Sequence, residues 1–154
     1  MAGNLERREN HPQPEGEVLY KNILAAFSGF TNSSIEKKNQ PKEYKASVET
    51  VYKAFQGLSE EFPDKFPGLY FSDLCGAPYS RDLENKLFKI GAFGMLEHDN
   101  SRQRYLKITP KQAQAIQIVL EQSYGKKDLN NFIVIAKKFR ELVKKFEEPD
   151  LISV

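Results

Sequence analysis

Apolar positions recur first at the spacing of a helix. Val18, Leu19, Ile23, Leu24 and Phe27 follow that period, and Gly29 is a natural stop. Thr31–Gln40 is a polar connector that leads to Pro41, a residue suited to the first helical position. The next helix has the strictest period in the chain: Tyr44, Val48, Val51, Phe55, Leu58 and Phe62 alternate spacings of four and three. This is a narrow seam of coiled-coil type. Its shortness favours packing within one domain, with a dimer seam as the alternative. Glu49 and Lys53 form a favourably ordered i,i+4 pair on its outer side.

Pro63 ends that helix, and Pro67 can open a short one whose Leu69, Tyr70 and Leu74 face inward. Gly76–Tyr79 reads as a turn. Ser80 can cap the following helix, with Asp82 and Glu84 near its positive end. There Leu83, Leu87 and Ile90 share one face, while Arg81, Asn85 and Lys89 lie opposite. Gly91 and Gly94 stop it.

The period then changes. Met95–His98 and Gln103–Ile108 read as strands around Asp99-Asn100-Ser101-Arg102, with Leu106 and Ile108 alternating with Tyr105 and Lys107. This hairpin is the one sheet-forming piece that the pattern predicts. Thr109-Pro110-Lys111-Gln112 is a capping-box start for a helix carrying Ala113, Ile116, Val119 and Leu120 as far as Gly125. Asp128 opens the last helix, with Phe132, Ala136, Phe139, Leu142, Val143 and Phe146 as its apolar stripe. Lys137, Lys138, Arg140, Lys144 and Lys145 spread over its other side, as a solvated basic face does. Residues 1–15 are a polar leader with Pro12 and Pro14, and 148–154 an acidic-to-apolar tail, leaving one domain over 16–147.

Composition narrows the function classes. A chain of 154 residues can bury a core of its own. Its net charge of +2 is too small to argue nucleic-acid binding from composition alone, although Arg102, Arg104, Lys107 and Lys111 come without an acidic residue among them. Cys75 is the only cysteine, which excludes an internal disulfide and a four-cysteine metal site, and it reads as a small buried apolar residue. No apolar run reaches the ~18 residues of a membrane span, and the leader lacks a signal-peptide core, so a cytoplasmic protein is expected.

The predicted order is a mostly α chain with one β-hairpin, in which helix, turn and helix run straight into the hairpin. That is the layout of a winged helix-turn-helix with extra N-terminal and C-terminal helices. Over GMLEHDNSRQRYLKITPKQ, residues 94–112, the chain resembles regulators of the multiple-antibiotic-resistance (MarR) type and, more loosely, the PadR type. In their pattern a strand follows the recognition helix, an aspartate and an arginine sit in the wing, and a second strand leads through Leu-x-Leu-Thr into a helix. Asp99 and Arg102 would hold the wing positions, and Leu106, Ile108 and Thr109 the second strand. Gln112 stands where those families usually carry glycine.

The resemblance implies a DNA-binding transcriptional regulator that acts as a homodimer, with recognition helices in successive major grooves. By position, Ser80, Arg81, Asn85 and Lys89 would face the duplex, and Arg102 and Arg104 would reach it from the wing. Asn suits adenine and Arg guanine. The first helix and the last two would make the dimer. An effector pocket lined by Tyr44, Tyr52, Phe55, Tyr70 and Phe71 would also follow, although these residues equally suit a core. The alternative function is a winged-helix protein-interaction module without DNA binding. An enzyme is not expected, nor a metal or cofactor. His11 and His98 are the only histidines, and no catalytic constellation, phosphate loop or HExxH motif occurs. Gly91-Ala92-Phe93-Gly94 matches the GxxG of RNA-binding KH loops, but a hairpin follows it and Phe93 is not basic, so it reads as a helix stop.

Overall fold

The computed structural model describes residues 15–36, 44–98, 105–124 and 128–152. Helix α1 (Glu15–Glu36) buries Leu19, Ile23, Leu24 and Phe27 as its period requires, and its backbone runs through Gly29 without stopping. The expected start of the next helix is instead a strand, β1 (Tyr44–Ser47), and α2 covers Val48–Glu61. Ser47 makes the break. Its backbone is extended (φ −66°, ψ 147°), and its hydroxyl accepts the Thr50 amide at 3.1 Å as an N-cap. Tyr44 thus reaches the core side from a strand, at a spacing that mimics the helical seam. Thr31–Glu36 of the expected connector belong to α1, and residues 37–43, with Pro41, lie outside the described residues.

A second departure lies between α2 and the next helix. Where a short helix was expected, the chain bends at Gly68 (φ 76°) and forms a hairpin, β2 (Ser72–Leu74) and β3 (Ala77–Tyr79). Its two-residue turn places both Cys75 (φ 54°) and Gly76 (φ 84°) in the left-handed region, the geometry that matches strand twist. Leu69 is buried as expected, but Tyr70 and Leu74 are 79% and 57% exposed, and Cys75 is exposed rather than buried. The buried Asn22 of α1 donates from Nδ2 to the Lys65 carbonyl at 2.7 Å, fixing the start of this segment.

Helix α3 (Arg81–Ala92) is capped by Ser80, whose hydroxyl accepts the Leu83 amide at 3.2 Å, and it buries Leu83, Leu87 and Ile90. It ends where Gly94 turns left-handed (φ 80°) and the Met95 amide donates back to the Ile90 carbonyl. Strands β4 (Glu97–His98) and β5 (Tyr105–Ile108) then pair antiparallel, with Glu97 opposite Lys107. The expected hairpin exists, but it is not the only sheet-forming piece. β1 pairs with the far side of β5, Tyr44 opposite Ile108, giving a three-stranded sheet in the order β1-β5-β4. The capping box holds at α4 (Pro110–Tyr124): the Thr109 amide donates to Gln112 Oε1 at 2.9 Å, and the Gln112 amide to Thr109 Oγ1 at 3.2 Å. Helix α5 (Leu129–Ile152) carries the backbone past residue 147. The protein is mostly helical with a small antiparallel sheet, and among the described residues no helix is long and apolar enough to cross a membrane.

The core sits where α1, α2 and α5 meet. Phe27, Phe55 and Phe139 pack with ring centroids 5.6, 5.4 and 4.7 Å apart, and Phe66 adds an edge contact to Phe55 at 6.2 Å. Gly57 lets α2 approach α5: a Cβ there would lie 3.1 Å from Leu142 Cδ1. Lys138 on the basic side of α5 bridges Glu61 of α2 at 3.2 Å. Burial drives the phenols of Tyr44 and Tyr52 well above their ordinary value of 10.0. Glu147 reinforces the rise at Tyr44, where Arg140 opposes it, and Glu84 and Tyr79 reinforce it at Tyr52.

Phe55 touches both other rings of the triad and Phe66, so Phe55→Ala should cost about 3–5 kcal/mol in urea unfolding. A loss under about 1 kcal/mol would show that the triad does not hold the helices. The tyrosines set an alkaline limit. Their folded-state pKa is raised, so the unfolded chain loses these protons first, and their contribution to stability is complete below pH ~10 and falls as pH rises above it. Ultraviolet titration should show Tyr44→Phe and Tyr52→Phe each removing a late-ionising phenol.

Candidate functional site

Helix α3 is the element on which most candidate residues fall, and its cap fixes which of them are available. Ser80 is 1% exposed with its hydroxyl engaged at Leu83, so it positions the helix and does not belong to its outer face. Arg81, Asp82, Glu84, Asn85 and Lys89 are exposed. The structure brings Arg81 and Asn85 together on the N-terminal half. It draws Lys89 aside, with Nζ 4.8 Å over the ring of Tyr20 in α1. Arg102 and Arg104, like Asp99, lie outside the described residues.

Two aromatics belong to this surface that the candidate set omits. Phe88 is 76% exposed and Phe93, at the C-cap, 65%. The signal was in the spacing: Phe88 stands three residues after Asn85 and seven after Arg81, so it falls on the same helical face. An exposed phenylalanine in the middle of an outer helix face forgoes burial worth roughly 1.5–3 kcal/mol.

Grooves flank α3 on both sides. One, of about 970 Å³, opens between α1, α3 and α4 and is lined by Glu17, Tyr20, Lys86, Lys89, Phe93 and Tyr124, among others. On the opposite flank two depressions of about 650 and 430 Å³ share Leu87, Phe88 and His98 and form one trough. Glu97 joins the first depression, and Val48, Tyr52 and Glu84 the second. Burial, with Glu84 next, keeps the Tyr52 phenol protonated far above neutral pH, so it offers the trough a neutral hydroxyl. In the first groove burial likewise raises Tyr20 and Tyr124, helped by Tyr124 itself for Tyr20 and by Glu17 for Tyr124.

The effector pocket implied by the resemblance is not assembled. Phe55 lies in the core, Tyr70 stands out in solvent, and Tyr52 faces the trough. Among the described residues no group of three or more His, Cys, Asp or Glu side chains could hold a metal ion. In comparisons with known proteins, no family model matches the chain, and neither a curated protein nor a solved structure shows significant similarity to it.

Proposed function

We propose that the chain is a winged-helix module whose α3 face docks onto a protein partner. The winged-helix reading is supported by the order α1, β1, α2, α3, β4, β5 and by the sheet order β1-β5-β4, with the β2–β3 hairpin as an insertion before α3. The observation that carries the docking reading is the exposure of Phe88 at the centre of the α3 outer face, on a surface that starts with Asp82 and Glu84. A face that tracks phosphates concentrates cations, because its affinity comes from replacing counterions. This one sets charges of both signs around an exposed aromatic, as a protein–protein contact sets a polar rim around an aromatic anchor.

A second reading has its own support. Arg81 and Asn85 are exposed on the N-terminal half of α3, the part of a recognition helix that meets base edges. On that reading the chain is a dimeric, cytoplasmic transcriptional regulator, and Arg102 and Arg104 add wing contacts to double-stranded DNA.

Two measurements on the full chain separate them. Selection from a displayed random-peptide library should enrich binders on the native chain and lose them on Phe88→Asp, while random duplex at low salt gives no mobility shift. A duplex shift that survives Phe88→Asp and disappears with Arg81→Ala and Asn85→Ala combined would replace docking with DNA binding. Failure to enrich any peptide would end the docking reading.

A further inference from the structure

The two flanks of α3 differ in charge. Lys86 and Lys89 turn to the groove shared with α1 and α4, while Glu84 lines the trough beside α2 and β4. The trough floor is apolar, with Leu87 and Leu96 buried and Phe88 rising beside them. Glu84 stands at one end with no ion-pair partner within reach among the described residues. Glu97 stands toward the other, half-exposed and bridged to Lys107 at 3.3 Å across the ladder. Among the described residues no lysine or arginine lines either depression. Gly91 and Ala92 line that half of the trough with little side-chain bulk.

We infer that this trough receives a basic amphipathic segment of the partner protein, its apolar side chain beside Phe88 over Leu87 and Leu96 and its cations toward Glu84 and Glu97. The inference rests on the docking reading above and adds to it the flank and the chemistry of the occupant. From Glu84 to Ala92 α3 advances roughly 12 Å, enough to seat about two turns of helix or four extended residues. The apolar floor supplies affinity and the carboxylates select the sign of the partner, since a rim charge discriminates more than it binds. Tyr52 and His98 add hydrogen-bonding groups at the same wall.

The test uses two synthetic peptides of identical leucine pattern, one with lysines and one with glutamates at the polar positions, titrated into the isotope-labelled full chain. The lysine peptide should bind, shifting amides over Glu84–Ala92 and Glu97–His98. Glu84→Lys should weaken it roughly five- to tenfold and Phe88→Ala about tenfold or more. The glutamate peptide should bind Glu84→Lys better than the native chain. Both side chains are exposed, so unchanged circular dichroism is expected and verifies the fold. Equal or tighter binding of the glutamate peptide to the native chain, or shifts centred on Tyr20, Phe93 and Tyr124, would overturn the inference and leave α3 docking standing. Absence of binding by either peptide would overturn it too. Peptide display distinguishes that case, because an enriched but acidic set defeats the inference alone and an empty one defeats docking as well.

Discussion

Everything that positions the candidate surface depends on three phenylalanine rings. Phe27, Phe55 and Phe139 come from α1, α2 and α5, and each touches the other two. Pairs of this kind add roughly 0.5–1.5 kcal/mol beyond area burial, which is a sizeable part of a domain's net stability. The contact does more than stabilise. It ties α1 and α2 to α5, and α3 lies beside Tyr20 of α1 and Tyr52 of α2. The grooves on either side of α3 are the gaps that this arrangement leaves open.

How far the sequence could be read follows from the range of the interactions. Ser80, and Thr109 with Gln112, were legible because a cap is satisfied within three residues of itself. The β4–β5 hairpin was legible because its two strands are neighbours in the chain. β1 was not: its partner β5 lies some sixty residues away, and Tyr44 keeps a spacing to Val48 that suits a helix equally well. The β2–β3 hairpin was hidden differently. Its turn places a cysteine in the left-handed region, where asparagine or glycine would have announced it.

The candidate site divides along the same line. Arg81 and Asn85 came from simple helical periodicity and are exposed as that periodicity requires. Lys89 obeys it too, but a long side chain follows the nearest aromatic face, and Tyr20 belongs to a helix some seventy residues earlier. Phe88 was on the face all along. On a helix with a complete buried stripe at Leu83, Leu87 and Ile90, position rather than residue type decides where a phenylalanine goes.

The pairing of β1 with β5 bears on how the molecule comes into being. As the chain is made from its N-terminus, α1, β1 and α2 exist well before anything can complete them. β1 has no strand to pair with until Tyr105–Ile108 has been synthesised, and the ring triad stays open on one side until Phe139 follows. The last third of the chain therefore closes both the sheet and the core. Until then the nascent protein holds an unpaired strand edge and two of the three rings, both of them surfaces open to association with other chains.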